Sequence, residues 1–260
     1  MRLETKVKTK GEIDAMRAAG SAIALTLKAM EGAIIRGERN TLRLDELAAE
    51  HLASYGASPA FLGYKPPFSD RAYEYVSCIS VNNEVVHGIP SEKKVLKNGD
   101  IVSLDLGASV DGWFADAAIT VPVGTVSSAA KNLILSTRTA LIEGFKFARP
   151  GRKTGDIGWA IYSYAQRERL YIADGLCGHG IGTTIHEEPE VPNAALKGTG
   201  SELIEGMTIA IEPMLCLGTS VIVNAQGDPW TLVTADGSLA AHFEHTVLIT
   251  SSGPVVLTMP

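Results

Sequence analysis

Cysteine is scarce in this chain. Cys78, Cys177 and Cys216 are odd in number, far apart and form no Cys-x-x-Cys pair. This excludes a disulfide framework and a cysteine-based structural zinc site, and it suits a reducing cytoplasm. Positive charge is not in excess. A net charge of −6 gives no basic footprint for nucleic acid. No apolar run reads as long enough to span a membrane. The start, Met1-Arg2-Leu3-Glu4-Thr5-Lys6, has charges but no apolar core of a secretory signal. A phosphate loop is missing too: the glycine-rich Cys177-Gly178-His179-Gly180-Ile181-Gly182 has the wrong spacing and no Lys-Ser/Thr after it. What remains is a soluble composition, in a chain of 260 residues that is long enough for one large domain or two small ones.

The most informative stretch is a hairpin. In Ile101-Val102-Ser103-Leu104-Asp105-Leu106-Gly107, apolar and polar residues alternate with the period of a half-buried strand. Asp111-Gly112 supplies a two-residue turn, and Trp113 to Thr120 forms the return strand. This loop sets Val110 against Trp113, Gly107 against Asp116 and Asp105 against Ala118. Asp105 and Asp116 then lie diagonally on one face, within reach of each other. Two adjacent carboxylates repel unless a proton or a cation joins them. Alone, such a pair reads as two solvated strand residues; the rest of the chain shifts the balance.

Residues 12–34 have helical spacing through Ile13, Met16, Ile23, Leu27, Met30 and Ile34. A break at Arg36-Gly37-Glu38-Arg39-Asn40 precedes a helix capped by Thr41 and stopped at Gly56. Residues 57–75 read as a long loop, of a length that is often functional. A strand through Cys78 and Val81 then leads to His87. The pattern recurs further on: Ser128 opens a helix, Arg149-Pro150-Gly151-Arg152-Lys153 breaks it, and Thr154 caps the next. We read a weak internal repeat, with halves at approximately 11–125 and 126–255, forming one α+β domain with a site between them.

In the second half, Met207-Thr208-Ile209-Ala210-Ile211-Glu212-Pro213 places Glu212 on a polar strand face. In His242-Phe243-Glu244-His245-Thr246-Val247-Leu248-Ile249, Glu244 lies on the face opposite Val247 and Ile249. Asp105, Asp116, Glu212 and Glu244 are thus four acids inside apolar strands. Carboxylates are rarely buried unless paired or metal-bound. With His179 between two glycines, a ligand set explains them best.

These motifs resemble the type I methionine aminopeptidases, whose pita-bread fold is shared with creatinase and prolidase. The resemblance covers essentially the whole chain. It rests on the Asp105/Asp116 hairpin, on Gly178-His179-Gly180-Ile181-Gly182 followed by His186-Glu187-Glu188-Pro189, on Ile211-Glu212-Pro213-Met214, and on Phe243-Glu244-His245-Thr246. The His179–Glu212 spacing leaves no room for the insertion of the type II enzymes. The resemblance implies an α+β fold of two pseudo-symmetric halves around a curved antiparallel sheet. It also implies five ligands to two divalent ions. Asp116 and Glu244 bridge the ions, Asp105 holds one, and His179 and Glu212 hold the other. One imidazole among oxygens suits Mn, Fe, Co or Zn. Two such ions can activate water and polarise the scissile carbonyl. Glu212 is implied as proton shuttle, and His87 and His186 as substrate-contacting donors. Phe61, Tyr64, Cys78, Ile185 and Trp230 are implied to form the methionine pocket. Phe61 stands where the family often has Cys, Ile185 where it often has Phe, and the 65–77 loop is longer than usual, so the pocket shape departs from the pattern. His51, His242 and His245 read as structural, His245 with an added chance of contact behind a ligand.

The implied activity is removal of the initiator methionine from newly made proteins, preferentially before a small second residue. The implied partners are the N-termini of nascent polypeptides and, transiently, the ribosome. The implied setting is a cytoplasmic monomer without membrane or nucleic acid. An X-Pro peptidase is the nearest rival, but its relatives are longer with a different histidine pattern. A non-catalytic peptide-binding member of the fold would have lost ligands, and none is missing here.

Overall fold

The computed structural model describes residues 7–65 and 71–260. Part of the 65–77 loop, residues 66–70, lies outside them. Two helices come first, α1 (Lys10–Ile35) and α2 (Thr41–Ser54), then strands β1 (Ser58–Pro59), β2 (Cys78–Val81), β3 (Glu84–Val86), β4 (Ile101–Val110) and β5 (Trp113–Pro122). A second helix pair follows, α3 (Ser128–Phe145) and α4 (Thr154–Arg167), then β6 (Tyr171–Ile172), β7 (Cys177–Gly180), β8 (Glu187–Pro192) and β9 (Thr208–Ile211). The chain ends through β10 (Met214–Cys216), β11 (Ile222–Asn224), β12 (Leu232–Thr234), β13 (Ala240–His242), β14 (Glu244–Thr250) and β15 (Gly253–Val256).

Each helix starts on a local signal. Thr9 caps α1 in a reciprocal box: its hydroxyl accepts from the Glu12 amide, and its own amide donates to Glu12 Oε2 at 2.6 Å. The caps expected at Thr41 and Thr154 shift by one residue, while α3 opens at Ser128 as expected. Asn40 caps α2, accepting from the Leu42 and Arg43 amides, because the Thr41 hydroxyl is taken up by Ser91 and Lys94. Ser127 caps α3. At α4, Lys153 is the cap residue and Asp156 accepts its amide, while Thr154 is the first helical residue. The stretch expected to be one loop from residue 57 contains β1, which pairs with Ser109 and Ala108.

The β4–β5 register is the expected one: Val110 opposite Trp113, Gly107 opposite Asp116, Asp105 opposite Ala118. The large sheet runs β1-β4-β5-β14-β9-β7-β8, with β2 also on β4 and β15 also on β14, and its pairings are antiparallel. Its two faces differ. Val102, Leu104, Leu106, Ala115 and Ala117 pack under α1 and α2. Ile209, Ile211, Val247 and Ile249 pack under α3 and α4. Strand side chains alternate, so Asp105, Asp116, Glu244 and Thr246 face away from all four helices. β4 is buried on both faces rather than half-buried, because Phe61 and Ile185 cover the face that carries Gly107.

By length and composition α1 could cross a membrane, which the sequence did not show as an unbroken apolar run. Met16, Ile23, Leu27 and Met30 are buried in the core, so its apolar side is spent on the sheet.

Candidate metal centre

The acids converge across one sheet face. Asp105 pairs with Ala118, and Ala118 pairs with Glu244. Beyond Glu244 the ladder register continues unbroken from Ile211–His245 in the large sheet to Met214–His242 in the small one. Glu212 therefore stands opposite Glu244, at the point where Pro213 interrupts the pairing. Asp105, Ala118, Glu244 and Glu212 form one row, with Asp116 one pleat along. Ligand atoms of Asp116, His179 and Glu244 lie within 4.8 Å of one another, as do those of Glu212, His242 and Glu244. Glu244 belongs to both groups. Asp105 belongs to neither, but its charge acts on Asp116 and Glu244.

His179 is fixed by chemistry as well as by position. Its Nδ1 lies 2.9 Å from the Gly180 carbonyl. A carbonyl only accepts, so Nδ1 carries a proton, and in the neutral ring this leaves Nε2 as a lone pair. That lone pair faces Glu212 Oε1 at 3.5 Å and Glu244 Oε1 at 4.0 Å. Asp105 Oδ1, Asp116 Oδ1 and Glu244 Oε1 are buried with no hydrogen-bond partner among the described residues. Acceptors thus face acceptors, an arrangement that costs free energy unless protons or cations lie between them.

The titration behaviour follows. Burial raises Asp105 to about 7, with Glu212 adding to the effect. Burial, then neighbouring carboxylates, raise Asp116 and Glu244 well above the carboxylate range. Burial also works against the charge on Glu212, but the contact with His242, and then the positive charge that His179, His242 and His186 carry when protonated, outweigh it and hold this carboxylate below its ordinary value. Three carboxyls ready to hold protons and one held ionised suit an oxygen-rich site for divalent cations.

The expected substrate residues surround this centre. His186 Nδ1 is 2.8 Å from the Tyr64 hydroxyl, and its ring stands 4.5 Å from that of His179, centroid to centroid. Burial and His179 lower His186 to about 4, so it is neutral at physiological pH. His87 sits in the left-handed region at φ 59°, an uncommon conformation for a non-glycine residue. It is held there by the Thr231 hydroxyl on its carbonyl and by Ser80 on the Gly88 amide. Burial lowers its pKa. Phe61, Cys78 and Ile185 are buried in one cluster, with Tyr64 and Trp230 packed against it. Tyr73 joins them, edge-on to Trp230 at 5.2 Å. A Cβ on Gly107 would come within 2.9 Å of the Phe61 ring, so glycine is what lets that ring close over β4.

Of the histidines read as structural, His245 fits that reading and His242 does not. His245 lies on the helix face, with Nδ1 2.8 Å from the Thr258 hydroxyl and its ring beside Phe145, away from the acids. His242, read as structural, lies on the acid face with Nε2 3.5 Å from Glu212 Oε2. Strand alternation held the signal: His242 is two residues from Glu244 and shares its face, whereas His245 does not. His51 stays on α2, as expected.

Residues 14–251 match the model of metallopeptidase family M24. The chain belongs to this family. A methionine aminopeptidase of Aquifex aeolicus is 47% identical over 250 residues, covering 95% of this chain and 96% of that protein. The crystal structure of a methionine aminopeptidase from Thermotoga maritima superposes with a TM-score of 0.93 at 39% identity, covering 98% of this chain and all of that one. Prolidase from Pyrococcus furiosus shares the fold at TM-score 0.76 and 21% identity, and the chain covers 66% of its length. This M24 chain has the pita-bread architecture, and its carboxylate and histidine groups fit the divalent-metal chemistry of a metallopeptidase.

Proposed function

We propose that this metallopeptidase removes N-terminal methionine from newly made proteins, preferring a small second residue. The similarity to methionine aminopeptidases over nearly the full chain supports the activity. The observation that carries the site is the set of orphaned acceptors around His179 Nε2. Asp105, Asp116, His179, Glu212 and Glu244 would hold two divalent ions of the Mn, Fe, Co or Zn class. Four carboxylates balance the charge of two such ions. When bound, the ions supply Lewis acidity toward the scissile carbonyl and lower the pKa of water.

This chain's own groups do the rest. Glu212, held ionised between imidazoles, accepts the proton of the attacking water and returns it to the leaving amine as the C–N bond breaks. His186, neutral and with Nδ1 engaged by Tyr64, offers its Nε2–H to the carbonyl oxygen as negative charge develops there. His87, pinned in its unusual backbone conformation, supplies a second substrate contact. Phe61, Tyr64, Cys78, Ile185 and Trp230 take the methionine side chain, whose flexible thioether suits contacts with aromatic rings and sulfur. Asp105 and Asp116 come from the first half of the chain, and His179, Glu212 and Glu244 from the second, which supports a site between two pseudo-repeated halves. One chain supplies every group, so a monomer suffices. Nascent chains as substrate fit a cytoplasmic enzyme that associates transiently with the ribosome.

The test is metal-reconstituted protein assayed on Met-Ala-Ser, Leu-Ala-Ser and an Ala-Pro tripeptide. Met-Ala-Ser should be cleaved, with the reaction stopped by chelator. Preference for Ala-Pro would favour an X-Pro peptidase. Full activity in rigorously metal-free protein would refute the metal reading.

A further inference from the structure

Glu212 has little to hold its side chain. It follows the last paired residue of β9 and precedes a proline, and among the described residues its carbonyl accepts from Asn193 Nδ2 at 3.0 Å. Its carboxylate lies between two imidazoles, His179 Nε2 on Oε1 and His242 Nε2 on Oε2, each at 3.5 Å. These two imidazoles are not equivalent. The proton of His179 is on Nδ1, given to Gly180, so Nε2 has none to donate. His242 is 2% exposed, and its Nε2 has no hydrogen-bond partner among the described residues. Its backbone is locked in both directions: the amide donates to Thr120 Oγ1 at 2.9 Å, and the carbonyl accepts from the same hydroxyl at 2.8 Å. A buried imidazole on fixed backbone, facing a carboxylate, has one stabilising arrangement, with the proton on Nε2.

We propose that His242 is a positioning residue, whose Nε2–H donates to Glu212 Oε2 and leaves Oε1 alone to face His179 and a cation. It rests on the metal reading of the site. The 3.5 Å separation is at the outer limit of a hydrogen bond, and such contacts tighten when a site is loaded. With Oε2 capped, Glu212 binds through one oxygen, and its orientation is set before the cation arrives. Outer hydrogen bonds of this kind fix ligand geometry and affect affinity by about 10–100-fold.

The test is Co(II) titration of the metal-stripped full chain by calorimetry, with the visible Co(II) spectrum recorded, for wild type, His242→Ala and His242→Gln. Circular dichroism checks folding in each. The glutamine amide reaches about as far as Nε2 and donates the same bond. The expected result is affinity lowered by about 10–100-fold in His242→Ala. Affinity and spectrum should return to near wild type in His242→Gln, and this pair of readings decides if His242→Ala does not fold. His242→Ala binding Co(II) like wild type would overturn the proposal. So would a folded His242→Gln with weak binding and a changed spectrum, which would make His242 a ligand. Wild type that binds no Co(II) would overturn the metal reading itself, a result distinct from either.

Discussion

Stripping metal should destabilise the folded chain in a pH-dependent way. Asp105 holds its proton to about pH 7 in the fold, against 3.8 as its ordinary value. Between those values the folded state binds more protons than the unfolded state, so stability falls as pH rises. Asp116 and Glu244, raised by burial and by neighbouring carboxylates, act in the same direction. His87, His186 and His245 are lowered in the fold, so they oppose this trend until the unfolded imidazoles have lost their protons, about one pH unit above their ordinary value of 6.5. The window from about pH 7.5 to 8 therefore isolates the carboxylates. There the melting temperature of metal-free protein should fall steadily. Cations bound only by the folded state add about 2.7 kcal/mol at one hundred times Kd. For a chain of this size, that is a rise of about 5–11 °C. Bound metal should also flatten the pH dependence, because the acids are then ionised in the fold. Asp116→Asn should blunt the response more than Asp105→Asn, since Asp116 shares the 4.8 Å cluster with His179 and Glu244 and Asp105 does not. Thermal unfolding by circular dichroism, with and without Mn(II) across this window, makes the measurement. A wild-type melting temperature indifferent to metal, or one that rises with pH in the stripped protein, would refute the reasoning. Equal blunting by the two variants would remove the distinction between Asp116 and Asp105.

Two substitutions test the chemistry. Glu212→Gln removes the carboxylate held ionised between imidazoles, and kcat should fall by about 10²–10⁴-fold; near-wild-type turnover with both metals bound would exclude Glu212 as the proton carrier. His186→Ala removes one carbonyl donor and should lower kcat by about 10²–10³-fold with metal content unchanged; loss of metal measured by atomic absorption would make His186 a ligand instead.

Much of this was legible because β-strand periodicity is rigid. Asp111-Gly112 dictates the hairpin register, and from it the diagonal placement of Asp105 and Asp116 follows without any structure. Less local features were hidden. The caps moved from Thr41 and Thr154 to their neighbours because both side chains bond to distant loops, at Ser91 and Ser201. Nothing in the local sequence shows those loops. β4 is covered on its polar face by Phe61 and Ile185, which come from opposite halves of the chain. The site role of His242 was accessible in principle. It shares the period of Glu244, but histidine beside a ligand motif reads as structural until the register between β10 and β13 places it against Glu212.

That register also explains why the acids are tolerated. Ala118 lies between Asp105 and Glu244 in the pairing order. Neighbouring strands are about 4.8 Å apart, so the two carboxylates start from backbones separated by roughly twice that. A side chain no larger than a methyl group leaves the space between them open. On the same β5 face, one pleat from Ala118, stands Asp116, whose amide donates to Thr246 Oγ1 at 2.8 Å. The strand backbone is thus locked by neutral hydrogen bonds, independently of the charges it carries. The charged groups are positioned by ladders already formed on the helix side, where Leu104, Leu106, Ile209 and Val247 are fully buried. Repulsion among the acids therefore cannot be relieved by moving the strands without opening that core. It can be relieved by protons or by cations, and this makes the face a binding site rather than a defect in packing.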